Sequence, residues 1–447
     1  MHDLAPLRAR VASGTLRPKA ARRAALTRLR DAMEAMEGEL LDALHADLGK
    51  PAIEAWTSEI MLVRQEIAGA LRNLARWMAP RRVGVRWFQF PGRASVVAEP
   101  RGVALILGPW NYPVQLGLVP LVSAVAAGNA AVLKPSELAP ATADALARLI
   151  ARVFEPDHVR TVLGGPDTAR ALTALPFDHV FFTGSTAVGR QVAEAAARHL
   201  ATVTLELGGV NPCIVDATAD PVVTARRIAW GKFLNAGQTC LAPNHVWVEE
   251  GRHDALVAAL RATLDRFYGA DGRGLQRVVN ARHFARLRDT LARGRVLHGG
   301  ATDAAALHLA PTLLADADPA LRHEEIFGPV LPIFPYRDPA PVLAEIAAAP
   351  APLAVYVHTT DRAFADRVTA ATRSGGVCVN DSLTQATVPE LPFGGVGASG
   401  QGRYHGRAGF DAFSDQRAIF RQPARVDPPM RYPPIKAPLS LIRRLMG

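Results

Sequence analysis

The sequence predicts an α/β protein with two doubly wound parallel-sheet domains and a small additional β element. Apolar, strand-like runs alternate with segments of helical periodicity between residues 102 and 208. A second alternation follows Asn211 and continues to about residue 390. Repeated β-α-β alternation indicates parallel strands with helices packed on the sheet faces. A length of 447 residues is sufficient for two or three domains.

The first half of the chain is expected to begin with helices and to continue as a parallel sheet. Apolar side chains recur at three- and four-residue steps through residues 20–80, as in Leu26, Leu29 and Met33, which indicates amphipathic helices. The alternation that follows predicts five strands, at residues 103–107, 130–133, 160–163, 179–182 and 202–205. Ligands of such sheets bind beyond the carboxyl ends of the strands.

The additional β element is predicted from two separate segments. Alternate residues from Val83 to Gln89 share one side, and Pro91-Gly92 supplies a turn, so residues 83–97 are expected to form a hairpin. Residues 410–420 are predicted to form another strand. The Pro-rich tail from Pro423 is expected to be extended.

Composition excludes several classes of protein. The net charge is +10, but the 51 basic residues include no block of five or more and are not interleaved with aromatic residues. Such a dispersed charge gives no nucleic-acid footprint, so we expect no nucleic-acid partner. The longest apolar runs are shorter than 18 residues, and no secretory signal is visible at Met1. A cytoplasmic protein without a transmembrane span is therefore expected.

Only one of the three cysteines has the setting of a reactive thiol. Cys213 and Cys378 lie in short β-like runs and are expected to be buried hydrophobic residues. Cys240 follows small and polar residues, Asn235-Ala236-Gly237-Gln238-Thr239, although a structural role for it remains the alternative. The odd number and the absence of C-x-x-C favour a reducing compartment, and no metal site is expected.

Cys240, Glu206 and Asn111 together supply a nucleophile, a general base and an oxyanion donor. Each residue alone has an ordinary interpretation. A Glu before Gly208-Gly209 is typical of a turn, and an Asn near Pro113 often shapes a turn.

A candidate cofactor loop covers residues 182–189. It follows a strand and opens a helix, so the backbone N–H groups of Gly184, Ser185 and Thr186 can face a pyrophosphate, with Gly189 completing a G-x-x-x-x-G pattern. By spacing alone this signal is weak. At the end of the second strand, Glu137 can bind ribose hydroxyls and favours NAD, whereas Lys134 would tolerate the 2′-phosphate of NADP.

Taken together, these motifs resemble the aldehyde dehydrogenase superfamily, from roughly residue 10 to residue 434. Further matching segments are Pro109–Pro113, Glu324–Pro329, Pro392–Gly397 and Tyr404-His405-Gly406. The resemblance implies oxidation of an aldehyde to a carboxylic acid through a thiohemiacetal and a thioester on Cys240. It also implies that Glu206 activates the hydrolytic water and that Asn111 and the Cys240 N–H hold the oxyanion.

The resemblance also assigns supporting residues and a branch. It places Trp110, Glu325 and Phe327 at the nicotinamide half of the cofactor, and we expect Tyr112 and Trp230 to line the aldehyde tunnel. The segments 228–233, 238–243, 404–406 and 431–434 resemble the class 3 branch, which includes fatty and coniferyl aldehyde dehydrogenases and many homodimers.

The resemblance further divides the chain into parts. It implies an NAD(P)-binding, Rossmann-like domain at residues 1–80 and 98–208 and a catalytic domain at 209–395. Residues 81–97 and 410–435 would form bridging and oligomerisation segments.

The sequence leaves two alternative functions open. One is a CoA-acylating enzyme, against which Glu206 argues, and the other is a non-catalytic member of the family. The faintly amphipathic residues 439–446 also raise a weak hypothesis of peripheral membrane contact.

Overall fold

The computed structural model describes residues 3–427, 431–434 and 437–446, and it confirms the predicted fold class. Two large sheets, of six and seven strands, carry helices on their faces, and a separate three-stranded sheet joins distant parts of the chain. Their strands are mostly parallel, as the β-α-β alternation predicts.

The six-stranded sheet contains all five strands predicted in the first half of the chain. Its strands lie in the order Gly400–Gln401, Thr202–Leu207, His179–Gly184, Val103–Leu107, Ala130–Lys134 and Val159–Thr161. All pairs are parallel except the first, where Gly400 lies opposite Glu206 in an antiparallel bridge. The carboxyl ends of the parallel strands therefore share one edge, which brings Lys134, Gly184 and Glu206 to the same side of the sheet.

Helices cover this sheet as the apolar periodicity indicates. Leu26, Leu29 and Met33 are fully buried in the core against one face, and burial of each such side chain contributes roughly 1.5–3 kcal/mol. The helices of this half are Ala5–Ala12, Lys19–Ala35, Glu37–Leu48, Ala52–Ala55, Met61–Met78, Pro113–Ala127, Pro140–Val153, Pro166–Thr173 and Thr186–Ala197, with a π-helical turn at Trp56–Ile60.

The seven-stranded sheet is formed by the second half of the chain. Its order is Arg295–His298, Thr312–Ala315, Val330–Tyr336, His245–Glu249, Pro212–Val215, Ala354–His358 and Gly376–Val379, and only the first strand is antiparallel to its neighbour. The helices Pro221–Phe233, His253–Tyr268, Ala281–Leu291, Pro339–Ala348 and Arg362–Ala371 accompany these strands.

Cys213 and Cys378 are buried in this second sheet, as the sequence predicts. They pair in register with Tyr356 from opposite sides, so two strand spacings separate them. Because adjacent strands lie about 4.8 Å apart, this separation exceeds the reach of a disulfide.

The three-stranded sheet corrects two details of the prediction. Arg81–Val83 and Arg93–Pro100 pair as a hairpin, but residues 87–89 form a 3₁₀ turn and not a strand. Ser414–Arg421 completes the sheet, whereas residues 406–412 form a helix. The alternating pattern gave a wrong prediction for residues 87–89 because these side chains are exposed and, in the described residues, no partner strand pairs with them. In the second, Phe410 and Phe413 are both buried three residues apart, which is a helical spacing.

The tail matches expectation only in part. Residues 423–427 have no regular secondary structure, while Leu439–Met446 is a short helix. The remaining tail segments, at 428–430 and 435–436, lie outside the described residues. No helix in the described part of the chain is long and apolar enough to span a bilayer.

Candidate active site

The nucleophile candidate Cys240 follows a loop with unusual backbone geometry. Asn235, Ala236 and Gly237 all have positive φ values, of 54°, 54° and 72°. Non-glycine residues in this region cost of order 1 kcal/mol or more each, so surrounding contacts must hold the loop. Asn211 Nδ2 donates to the carbonyl oxygen of Cys240 at 2.7 Å, and the Tyr356 hydroxyl donates to the next carbonyl, of Leu241, at 2.7 Å. These two hydrogen bonds fix the backbone that carries the thiol.

The electrostatic surroundings of Cys240 keep its thiol protonated in the isolated chain. Burial raises the pKa of this thiol to about 12, and the carboxyl groups of Glu325 and Glu206 add to the effect. Since the thiolate is the nucleophile, the reaction requires a positive charge or a proton acceptor near the sulfur.

Glu206 stands at the carboxyl end of its strand with 3% of its surface exposed. Neither carboxyl oxygen has a hydrogen-bond partner among the described residues. Burial raises the pKa of Glu206 well above the ordinary value, and the nearby guanidinium of Arg403 opposes this shift. A buried carboxyl group with a raised pKa and free acceptor capacity is suited to take a proton from water.

Asn111 reaches the nucleophile loop through its side chain. Its Nδ2 donates to the carbonyl oxygen of Gln238 at 3.0 Å, which uses one of the two amide hydrogens. The neighbouring Tyr112 hydroxyl lies 2.6 Å from Thr239 Oγ1, so two successive contacts tie this turn to the residues before Cys240. The second amide hydrogen has no acceptor among the described residues and is available to an oxyanion.

An apolar cavity of about 230 Å³ leads to Cys240. Tyr112 and Trp230, predicted to line the aldehyde tunnel, both lie in its wall. Tyr112 is buried, whereas Trp230 is partly exposed. The other lining side chains are mainly apolar: Met61, Leu62, Leu116, Leu234, Leu241, Leu383 and Phe393. His405 also contributes, with its ring stacked 5.2 Å from that of Phe393.

A larger cleft of about 890 Å³ lies beyond the carboxyl ends of the first sheet. It brings together five residues predicted to bind the cofactor: Trp110, Lys134, Glu137, Gly184 and Ser185. Ser185 caps the helix Thr186–Ala197, whose N-terminal N–H groups and dipole favour an anion such as a pyrophosphate.

The remaining predicted cofactor residues are not among those that line this cleft. Phe327 packs edge-on against the Trp110 ring, with 5.6 Å between the ring centres. A Cβ on Gly189 would lie 2.5 Å from Leu207 Cδ2, so glycine permits close packing of helix and strand. Thr186 and Glu325 line a separate cavity of about 230 Å³.

Glu325 approaches the glycine pair that follows Glu206. Its Oε1 accepts a hydrogen bond from the Gly209 N–H at 3.2 Å, and a Cβ on Gly208 would collide with its carboxyl group. Burial raises the pKa of Glu325 to about 7, partly offset by this hydrogen bond and by Arg286 and Lys232. A side chain at Gly208 would therefore displace this carboxyl group, whereas a Cβ on Gly209 would lie 2.7 Å from the backbone N of Leu353.

The Glu137 carboxyl group is held by Lys134, whose Nζ donates to it at 2.7 Å. Partial burial would raise the pKa of Glu137, but hydrogen bonds from Lys134 and from its own backbone N–H outweigh burial and lower it. Glu137 is thus an anionic acceptor at the position where ribose hydroxyls bind in such sheets. The cleft, the helix N-terminus and this acceptor fit a dinucleotide.

Sequence reasoning missed several charged residues around the site. Lys50 and Glu59 are fully buried under the Asn111 turn, and Lys232 is buried near Glu325. Burial lowers the pKa of Lys232 to about 7, and Glu325 opposes that shift. A single sequence gives no signal for these residues, because charges on helices are usually solvated. Among the described residues, no group of three or more His, Cys, Asp or Glu side chains could hold a metal.

Comparison with known sequences gives one consistent family. The sequence model of the aldehyde dehydrogenase family matches residues 9–419. The 4,4′-diaponeurosporen-aldehyde dehydrogenase of Staphylococcus aureus is 41% identical over 429 residues, which cover 94% of each chain. Aldehyde dehydrogenase family 3 member B1 of Bos taurus is 44% identical over 436 residues, which cover 96% of this chain and 93% of the relative.

Solved structures agree in fold over nearly the whole chain. The substrate-bound state of Staphylococcus aureus AldH superimposes with a TM-score of 0.97 at 38% identity, covering 99% of this chain and 98% of that one. An aldehyde dehydrogenase of Mycobacterium tuberculosis complexed with NAD⁺ gives a TM-score of 0.85 at 28% identity, covering 93% and 88%.

Proposed function

This chain belongs to the aldehyde dehydrogenase family and is an enzyme of its class 3-like branch, and we propose that it oxidises an apolar aldehyde to the carboxylic acid with NAD. The observation that supports this most directly is the convergence of three groups. The Cys240 thiol lines the apolar cavity, and the nearby Glu206 carboxyl group, which acts electrostatically on it, has no hydrogen-bond partner among the described residues. The Asn111 amide contacts the loop just before Cys240.

In the proposed first step, the Cys240 thiolate attacks the aldehyde carbon and forms a thiohemiacetal. The Asn111 N–H that is not bonded to Gln238 and the backbone N–H of Cys240 hold the resulting oxyanion. An oxidised nicotinamide, when bound, would supply a hydride acceptor and a positive charge that favours the thiolate form of Cys240. The adduct would give up hydride to this acceptor and become a thioester.

In the proposed second step, Glu206 accepts a proton from water, and the resulting nucleophile attacks the thioester. Cleavage of the carbon–sulfur bond releases the carboxylic acid and regenerates Cys240. The buried Glu206 carboxyl group has a raised pKa, and neither oxygen accepts a hydrogen bond within the part of the chain that the structure describes, so it is suited to act as this base. Such a base also argues against the CoA-acylating alternative, in which a thiol must take the place of water.

For the cofactor, we propose that Trp110, Glu325 and Phe327 hold the nicotinamide half and that the loop at 184–189 holds the pyrophosphate. The anionic acceptor Glu137 favours NAD, because it would repel a 2′-phosphate. Its partner Lys134 can still pair with a phosphate, so NADP is the expected weaker substrate.

For the substrate, we propose aromatic and medium- or long-chain aliphatic aldehydes. The cavity at Cys240 is walled mainly by apolar side chains, and the partly exposed Trp230 lies toward its outer side. An apolar wall favours hydrocarbon substituents, since burial contributes roughly 0.8 kcal/mol per CH₂ group. The Staphylococcus aureus relative is named for its action on 4,4′-diaponeurosporen-aldehyde.

The decisive experiment measures reduced nicotinamide formation with NAD or NADP and benzaldehyde, coniferaldehyde, hexanal or decanal, without CoA. We expect turnover in wild type, faster with NAD, and none in Cys240→Ala. Activity that appears only after CoA is added would establish the acylating alternative. Inactivity with every aldehyde, while Cys240 still alkylates, would favour the non-catalytic alternative.

We propose further that the enzyme is a cytoplasmic homodimer with the domain division predicted above. The edge strands Arg81–Val83 and Ser414–Arg421 support a bridging role for the three-stranded sheet, because unpaired strand edges invite pairing with another chain. Light scattering during size-exclusion chromatography tests the dimer, and a monomeric mass at micromolar concentration would contradict it.

A further inference from the structure

A buried ion pair lies directly beneath the oxyanion donor. Lys50 precedes the helix Ala52–Ala55, and Glu59 lies in the π-helical turn at Trp56–Ile60. Both side chains are 0% exposed, and they pair with each other. Burying two charges is unfavourable unless further hydrogen bonds compensate for the lost hydration. The partners of this pair therefore indicate what it holds in place.

The ion pair contacts the Asn111 turn through both of its members. Lys50 Nζ donates to the carbonyl oxygen of Asn111 at 2.9 Å and lies 4.1 Å from the centre of the Tyr112 ring. Glu59 Oε2 accepts hydrogen bonds from the backbone N–H groups of Val114 at 2.8 Å and Gln115 at 3.3 Å. It thereby satisfies the first turn of the helix that begins at Pro113.

The nucleophile loop also hydrogen-bonds to this turn. Asn235 Nδ2 donates to the carbonyl oxygen of Asn111 at 2.8 Å, beside the Lys50 contact. The backbone N–H of Asn235 in turn donates to Glu54 at 2.9 Å. One short segment, residues 50–59, thus fixes both the turn that carries the oxyanion donor and the loop that carries Cys240.

We propose that the Lys50–Glu59 pair is a positioning device for Asn111, an inference that rests on the proposed function. By fixing the backbone of Asn111 and the helix start that follows, it aims the amide hydrogen not used by Gln238 at the developing oxyanion. The pair touches neither substrate nor cofactor, because neither residue lines the apolar cavity or the large cleft. Any effect of the pair on the reaction would therefore be indirect, through the turn that carries Asn111 and Tyr112.

The test is a double-mutant cycle on the full-length enzyme. One arm replaces the pair by apolar residues of similar length, Lys50→Met with Glu59→Met, and the other arm is Asn111→Ala. We expect the paired replacement to lower kcat by about 10–100-fold, because misplacing a catalytic group by about 1 Å costs this much. KM for NAD and the rate of Cys240 alkylation should not change. In the Asn111→Ala background, the same replacement should cost less than about threefold.

A matched control replaces an exposed ion pair of the same half of the chain, Arg148 and Glu39, by methionines. Activity should stay at the wild-type level, since exposed ion pairs contribute little. If the buried replacement lowers the melting temperature severely, Glu59→Gln is measured in the same cycle, because it keeps the acceptor oxygen but removes the charge.

Wild-type turnover in the same assay establishes that the proposed function holds. With that turnover in hand, two results would overturn the positioning role alone. One is full activity of the Lys50 and Glu59 variants. The other is a combined variant whose fold-decrease in kcat equals the product of the decreases caused by the pair replacement and by Asn111→Ala. Such independence would show that the pair acts elsewhere.

Discussion

Burial of the Glu206 carboxyl group changes both the stability of the fold and the basicity of this side chain. In the unfolded chain its carboxyl group ionises near pH 4.5, whereas burial in the folded enzyme raises its pKa well above this value. The folded state therefore holds the proton more tightly, and ionisation as pH rises costs folding stability. The same shift leaves a basic carboxylate at the pH where hydrolysis needs one.

Glu206→Gln should separate the two proposed steps. The neutral amide cannot accept a proton, so one equivalent of NADH should appear rapidly and turnover should then stop or fall by at least about 10². Rapid-mixing absorbance at a reduced-nicotinamide wavelength measures the burst.

Wild-type hydrolysis should rise with pH as Glu206 ionises, and a variant that retains this pH dependence would assign the base to another group. The variant should also gain stability relative to wild type as pH rises above 4.5.

At the scale of single elements, the nucleophile loop depends on tertiary contacts more than on local preference. Gly237 has φ of 72°, and a Cβ there would collide with the backbone carbonyl of Gly328. Two non-glycine residues before it also have positive φ. The sequence marks this loop by its polar and small residues, but only the packed segment around Gly328 shows why glycine is required.

Gly237→Ala should therefore damage the site. The new Cβ meets backbone, which cannot rotate away, so we expect a stability loss above about 1 kcal/mol and a fall in kcat of at least tenfold. The matched control is Gly38→Ala in the helix Glu37–Leu48, where a Cβ meets nothing within 4 Å. This change should stabilise the protein by about 0.5–1 kcal/mol and leave kcat unchanged. Thermal melts and steady-state rates measure both. Equal behaviour of the two variants would argue against the close contact at Gly237.

Across the whole molecule, the three cysteines differ because the sheets bury two of them. Cys213 and Cys378 lie on either side of Tyr356 within the second sheet, whereas Cys240 opens onto the substrate cavity. Burial also raises the pKa of Cys378 and, more strongly, of Cys213. Global unfolding is therefore needed to expose all three thiols.

Thiol counting in native and urea-unfolded enzyme tests this arrangement. We expect one modified cysteine per chain in the native state and three after unfolding. Cys240 should react slowly at neutral pH and faster as pH rises toward its pKa of about 12. Mass spectrometry of the digested protein identifies the modified residue. Early modification of Cys213 would show that the second sheet opens locally.

The sequence by itself determined the fold class, the five strands of the first sheet and the residues Cys240, Glu206 and Asn111 as candidates. These follow from apolar periodicity and from motif chemistry, which are local properties of the chain. Tertiary structure alone decided which distant charges lie under the site, because the burial of Lys50 and Glu59 depends on helices packing against a turn 55–61 residues away. Tertiary structure also decided the short first strand of the hairpin and the helix at Gly406–Ala412. The choice between strand and helix depends on which partner strands are present and which side-chain face is buried, and the alternation of residue types does not determine it.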